Sequence, residues 1–276
     1  MFGERSSRGD QIKIYIGKCF RIFVNEKGFK SFISTAIIAI LILGVANKET
    51  FLVAFGPTRS IIFALISGCL WIGIFNSIQS VCRERAIIKR EHRTGLHISS
   101  YITAHMIYEL VLCLIETAII TTTLFIMYDI PSGGALLPSF IELFITFFLV
   151  IYSSDILGMV ISCIVKRETT AMTVMPFVLI VQLVMCGIIF PVEGAAADFI
   201  ASLTISKWGV NVSCVILNVI SMQDPTGIIS SNPSLITSME SSAGNLFEGW
   251  FFMILFTVVY GCICVLSLKL IDKDKR

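Results

Sequence analysis

Six apolar stretches, each close to the length a bilayer demands, decide what this chain can become. They cover residues about 31–47, 60–82, 98–128, 136–165, 169–190 and 246–268. Hydrocarbon about 30 Å deep takes roughly 20 apolar residues as helix. It offers no water to an open backbone, so each spanning segment must satisfy its own N–H and C=O groups. Barrel strands would be about 10 residues of alternating polarity, and no stretch alternates. At 55% hydrophobic and 14% charged, against about 25% charged in soluble domains, the chain needs lipid as its solvent. The expectation is an all-α membrane protein of six transmembrane helices. The first stretch is short, and the third and fourth are long enough to tilt or to project beyond the membrane.

Basic residues then orient the spans. Of the 21 Lys and Arg, 18 fall before the first span, in the connections at 82–97 and 166–168, or in the tail from Lys269. Lys48, Arg59 and Lys207 alone fall on the other side. The positive-inside rule places both termini in the cytoplasm of an integral membrane protein. No cleavable signal is evident in the first 30 residues, so the first span is expected to be its own insertion signal.

Residues 10–29 read as an interfacial helix. Ile12, Tyr15, Ile16, Phe20 and Phe23 recur at helical spacing, and Lys13, Lys18 and Arg21 occupy the rest; that pattern suits the inner leaflet. The domain reading is residues 1–30 as a cytosolic or interfacial connecting helix and 31–276 as the six-helix domain. Residues 191–245 form the long extracytoplasmic connection, partly helical, with a semi-apolar piece at 197–220 expected to dip into the outer leaflet. Asn211-Val212-Ser213 fits a glycosylation sequon, a frequent chance match. The nine cysteines lie mostly in or beside spans and read as small core residues rather than disulfide partners.

Chemistry of the chain's own is missing from the pattern. It has no phosphate loop, no H-E-x-x-H and no G-x-S-x-G, so no catalytic residue, metal site or cofactor is assigned to it, and no nucleic acid is implied. Ionisable residues do occur within spans: His105, Glu109 and Glu116 on the third, Glu142 and Asp155 on the fourth. Such groups are costly in hydrocarbon. They read either as a proton or cation path or as internally hydrogen-bonded links between helices. Small residues at four-residue spacing, Ala64 and Gly68, and Ser154, Gly158 and Ser162, allow helices to approach closely. Pro176 inside the fifth span kinks it.

The connection at 83–97 stands apart. Five Lys or Arg and two Glu fall between Arg83 and Arg93, a basic, helix-prone handle between two spans. Within it Glu84-Arg85 is followed by Glu91, Gly95, Ser99-Ser100-Tyr101 and Glu109-Leu110. The block is similar to the E-x6-E-x3-G-x3-S-[SA]-Y pattern of the membrane domains of ABCG-type (White or pleiotropic-drug-resistance-like) ABC transporters. Cys186-Gly187-Ile188-Ile189-Phe190-Pro191, with Ser206-Lys207-Trp208 later, resembles that family's S-G-[LF]-[LF] and S-P-x-[RK]-[YW] elements. The likeness runs from about residue 10 onward. Departures are the missing ATPase domain, the absence of paired loop cysteines, and Asp155 where the family usually has a small residue.

The resemblance implies a permease subunit of an ATP-driven exporter, working as a homo- or heterodimer in a membrane, expected to be prokaryotic. A separate nucleotide-binding subunit would hold ATP and magnesium. It implies that residues 83–97 are the coupling helix, with Glu84, Arg85, Arg90, Glu91 and Gly95 engaging the ATPase and Lys18 pairing with Glu84. It further implies a substrate path along Leu65, Gly68, Cys69, Ile72, Pro176, Ile180 and Leu183, for an amphipathic or apolar cargo, and an outer gate at Ile188 and Ile189. The alternative is an ion- or proton-coupled transporter or channel working through the intramembrane carboxylates.

Overall fold

The structure is a computed structural model that describes residues 7–189, 194–225, 227 and 233–269. Phe190 and Pro191 of the second motif, residues 1–6 and the basic tail beyond Lys269 lie outside them. The described residues are helical, without a named strand. In chain order the helices are α1 (Arg8–Asn25), α2 (Lys30–Val45), α3 (Phe55–Ser77), α4 (Ser80–Arg93), α5 (Ile98–Met127), α6 (Ser139–Ile164), α7 (Glu168–Val184), α8 (Ala195–Ser202), α9 (Ile205–Ile216), α10 (Pro233–Met239) and α11 (Ala243–Lys269).

Four helical stretches are long and apolar enough to cross a membrane: Phe55–Arg93, Ile98–Met127, Ser139–Ile164 and Ala243–Lys269. Two bent pairs reach that standard only together, α1 with α2 (70°) and α8 with α9 (82°), and α7 is a shorter apolar helix. Each of the six apolar stretches thus contains a helix among its described residues, but α2 and α7, at 16 and 17 residues, would reach only about 24–26 Å at 1.5 Å per residue. Both are flanked by bends: Lys27, with φ +57, turns α1 into α2, and Gly187, with φ +77, follows α7.

Helix α6 is the axis of the bundle. Its middle is buried on every side, from Val150 through Cys163 with few breaks. Apolar attraction between helices is weak where lipid is equally apolar, so small residues and polar links decide which helices meet. The α3–α6 crossing shows this. A Cβ on Gly73 would lie 2.4 Å from the Ile151 carbonyl oxygen, and one on Gly158 would lie 2.7 Å from that of Ile74. Ser77 Oγ donates to the Asp155 carbonyl at 2.5 Å. Just beyond, Ser162 Oγ accepts from the N–H groups of Val81 and Cys82, both 3.0 Å, which would otherwise be orphaned at the start of α4.

The long connection after α7 folds back into the bundle. Helix α9 buries Ile205, Ser206, Gly209, Val210 and Val212–Ile216, and Gly209 packs against Val150 and Ile66. Asn211 of the sequon is half-buried, and Ser213 is 1% exposed with its hydroxyl donating to Gly209 O, so the sequon lies on a packed helix rather than in an open loop. Cys214 is buried as well. At the same end of the bundle Tyr128 Oη donates to the carbonyls of Leu43 and Ala46, closing α2 against the end of α5. We call this the loop end, and the opposite one, which carries α1 and α4, the basic end.

Candidate functional site

At the basic end α4 extends α3 almost without interruption. Ile88 is its buried anchor, with Val81 and Cys82 at its start. Arg90, His92 and Arg93 fill its last turn, where cations favourably meet the partial negative charge of a helix C-terminus. The helix ends one turn before the expected boundary at 97. Gly95, with φ +115, makes the stop; a side chain there would be strained. Leu96 N–H returns to Glu91 O at 3.0 Å.

Helix α1 lies along this handle and fastens it with three side chains spaced like one helical face. Gln11 donates through Nε2 to Gly95 O (3.2 Å) and accepts through Oε1 from His97 N–H (3.0 Å), so it serves both orphaned groups of the turn after α4. Tyr15 Oη donates to Glu91 Oε2 at 2.5 Å. Lys18 Nζ lies 3.0 Å from Glu84 Oε2, which also accepts from Tyr101 Oη at 3.1 Å. The rings of Tyr15 and Tyr101 meet edge to face at 5.4 Å. The Lys18 and Glu84 side chains are 30% and 16% exposed, so the pair is sheltered. A hydrogen bond to a charged group contributes about 1.5–3 kcal/mol, against about 0–1 for an exposed ion pair. Arg83–Glu26, more than half exposed on both sides, belongs to the second kind.

Burial first, and then the hydrogen bond to Glu91, push the Tyr15 phenol well above its ordinary range; it is a donor at any physiological pH. Burial, with the Glu84 charge adding to it, pushes the Cys19 thiol up to about 12. Cys19 therefore packs as an uncharged group beside His105, with Sγ 3.7 Å from Nε2. Arg85 points the other way. Its Nη1 donates to Cys163 O (2.7 Å) and Val165 O (3.3 Å), the free carbonyls at the end of α6. Arg90 is exposed and Glu91 half-buried. Of the expected coupling residues, then, Glu84, Arg85, Glu91 and Gly95 hold the handle onto α1 and α6, and Arg90 faces outward.

The residues expected to line a path do not share an open face. Leu65, Cys69 and Ile72 are 4%, 1% and 5% exposed, inside the chain's own core. Gly68 packs on α2, where a Cβ would meet Ile42 and Ile38 at 2.9 and 3.3 Å. Pro176 and Ile180 are exposed and Leu183 is partly buried. What α3 presents outward is Trp71 and Phe75; on α7 it is Phe177, Ile180 and Val181. Ile188 packs against the core and Ile189 is exposed.

The carboxylates divide by partner. Glu142 is structural: it accepts from the N–H groups of Ala135, Leu136 and Leu137 at 2.7–2.8 Å and shapes the turn before α6. Glu116 accepts twice from Asn76 Nδ2, both 2.9 Å, and once from Ser31 Oγ at 2.7 Å, which ties α2, α3 and α5 together. Glu109 Oε2 and both carboxyl oxygens of Asp155 are buried without a hydrogen-bond partner among the described residues. No group of three or more His, Cys, Asp or Glu among those residues is arranged to hold a metal ion.

Sequence reasoning missed Gln11, Tyr15, Asn76 and Arg59 as contacts. For α1 the signal was present: Gln11, Tyr15 and Lys18 fall at i, i+4 and i+7, a polar stripe on a helix read only for its apolar face. Arg59 donates through Nη2 to Gly187 O at 3.0 Å, across 128 residues, a contact no local pattern announces.

The ABC transporter ATP-binding/permease protein Rv1747 of Mycobacterium tuberculosis is 24% identical over 257 residues, covering 87% of this chain. The chain spans 28% of that relative's length. The ABC-2 type transporter family matches residues 10–218, from α1 and its clamp through the handle and the spans to α9, so the chain belongs to that family as an ABC-2, ABCG-like membrane domain.

Proposed function

We propose that the chain is the permease of an ATP-driven exporter that works as a dimer and moves an amphipathic or apolar cargo. Its ATPase, fused or separate, holds ATP and magnesium and pushes on α4 from the cytoplasmic side, to which the basic residues assign the basic end. The observation that carries this reading is the double anchorage of α4: Lys18, Tyr15 and Gln11 grip it from α1, and Arg85 fixes it to the end of α6. A merely topological loop needs basic charge but no such fastening. A lever needs both, because displacement passes only through elements that do not yield.

The cargo path runs along faces open in the single chain, which become internal when two copies meet. On α3 these are Trp71 and Phe75, and on α7 Pro176, Phe177 and Ile180. Ile188 and Ile189 close its outer end as a dry constriction, which resists leakage because water and ions lose hydration there.

Glu84→Ala tests the reading. In proteoliposomes with the ATPase, the variant should hydrolyse ATP while movement of a fluorescent short-chain phospholipid falls about tenfold, a coupling loss of ordinary size. Probe movement at the wild-type rate per ATP would remove the lever from this account. The unpartnered oxygens of Glu109 and Asp155 favour a second reading, an ATP-independent carrier. It predicts probe movement driven by an imposed pH gradient in liposomes without nucleotide.

A further inference from the structure

Arg59 joins α3 to the bend after α7. Helices α3 and α4 form one stretch, Phe55–Arg93, of 39 residues, about 58 Å of helix at 1.5 Å per residue. Its junction is bridged rather than loose: Ser80 Oγ donates to Ser77 O at 2.7 Å, Arg83 N–H to Gln79 O at 3.1 Å, and Ser162 Oγ holds the N–H groups of Val81 and Cys82. One end carries Glu84 and Arg85. The other carries Arg59, one turn into α3.

From there the guanidinium crosses to α7. Its Nη2 donates to Gly187 O at 3.0 Å, and its Cζ lies 5.9 Å from the centroid of the Phe55 ring. Its Nε is buried without a hydrogen-bond partner among the described residues. No carboxylate among the described residues forms an ion pair with it. Taking a guanidinium out of water is costly unless it is well paired, so a bond to a single backbone carbonyl is an inefficient way to stabilise a fold. The carbonyl it holds is a telling one. Gly187, with φ +77, is the elbow after α7, and the next two residues are Ile188 and Ile189. Before the elbow α7 is tied elsewhere: Gln182 accepts from Ile205 N–H at 2.9 Å, and Ser206 Oγ donates to Gln182 O. Among the described residues Arg59 is thus the side chain that joins α3 to the elbow itself.

We infer that Arg59 is a positioning residue that makes the Ile188–Ile189 segment follow the α3–α4 lever, by carrying the Gly187 carbonyl with it. This rests on the exporter reading. In the resting geometry the bond holds the elbow, and so both isoleucines, in place. When α4 is driven by the ATPase, the outer end of α3 moves and the elbow moves or is released with it. Lysine can keep the charge and one donor at this site but not the planar fork.

The test uses the complete complex with its ATPase in nanodiscs and Ile189→Cys as a reporter, labelled with a membrane-impermeant maleimide. With Arg59 present, the labelling rate should differ about tenfold between the nucleotide-free and vanadate-trapped states, a typical coupling ratio. Arg59→Gln should erase that difference while ATP turnover stays within about twofold, and Arg59→Lys should recover part of it. A nucleotide-dependent labelling ratio unchanged in Arg59→Gln overturns the proposal. So does a parallel loss of turnover and thermal stability in Arg59→Gln that Arg59→Lys does not repair, the mark of a plain staple. Should Arg59→Gln fail to assemble, Arg59→Lys decides alone: an unchanged ratio refutes, a reduced ratio supports. Glu84→Ala separates the two layers. If it abolishes the nucleotide dependence while Arg59→Gln does not, only the Arg59 link fails; if Glu84→Ala also preserves it, the lever reading fails with it.

Discussion

Gly73→Ala offers the most direct test of how α3 is held against α6. An ideal Cβ at this position lies 2.1 Å from Ser154 Oγ, 2.4 Å from Ile151 O and 2.9 Å from Asp155 N. Carbon and oxygen approach comfortably only to about 3.3 Å. The serine hydroxyl can rotate, although it already donates to Ile151 O at 2.8 Å. The backbone carbonyl of a buried helix cannot, so α3 and α6 must part locally by about 1 Å. A gap of that size forfeits a quarter to a half of the dispersion energy of each contact it opens. Overpacking usually costs about 1–3 kcal/mol, and this site should fall toward the upper end because two obstacles are main-chain atoms. Alanine returns up to about 1 kcal/mol through helix propensity, leaving a net loss of about 2 kcal/mol. Reversible unfolding in mixed micelles would measure it. Gly44→Ala, where nothing lies within 4 Å of the new carbon, is the control and should be neutral or slightly stabilising. Adding Ser154→Ala should restore only part of the loss, since the Ile151 contact remains. A Gly73→Ala protein as stable as Gly44→Ala would refute the close crossing.

Two further outcomes follow from the polar contacts. Glu142→Ala strands the N–H groups of Ala135, Leu136 and Leu137; hydrogen exchange at those amides should accelerate, and unfolding should register a loss of about 2–3 kcal/mol. Tyr15→Phe removes the donor to Glu91 but keeps the edge-to-face contact with Tyr101, so exchange across α4 should rise about fivefold, equivalent to roughly 1 kcal/mol, with the bundle otherwise unchanged.

Much of the architecture was legible because hydrocarbon leaves a chain few choices. The spans at 98–128 and 136–165 differ from α5 and α6 by at most three residues at an end. Helix α3 starts five residues before its apolar stretch, at Phe55 rather than 60. Pro57 and the polar Thr58 and Arg59 hid that first turn, where proline is tolerated because the N–H it lacks has no helical partner anyway. The path was harder. Leu65, Cys69 and Ile72 recur at i, i+4 and i+7, as core residues do, but a helix apolar on all sides gives no amphipathic contrast with which to tell a core face from a lipid face. Only packing against α6 separates them. Glu142 and Glu116 looked alike as charges in spans; the difference lies in tertiary donors that sequence spacing does not carry.

These contacts divide the domain into a stiff part and a compliant one. Helix α3 is locked to α6 at Gly73 and Gly158, α4 is locked to α6 through Ser162 and Arg85, and α1 is locked to α4 through Gln11, Tyr15 and Lys18. Moving any of these against another breaks main-chain contacts or sheltered hydrogen bonds, each worth about 1–3 kcal/mol. Helix α7 is different. Its face with Thr173, Pro176, Phe177, Ile180 and Val181 is uncovered, and its polar ties gather at the loop end, in Gln182 and in the Gly187 carbonyl held by Arg59. A force applied at α4 therefore meets least resistance as a displacement of α1, α3, α4 and α6 together against α7. The relative movement is then greatest where α7 is uncovered, and two polar ties can carry it to the loop end: Gln182 on α9, and the Gly187 carbonyl on Arg59.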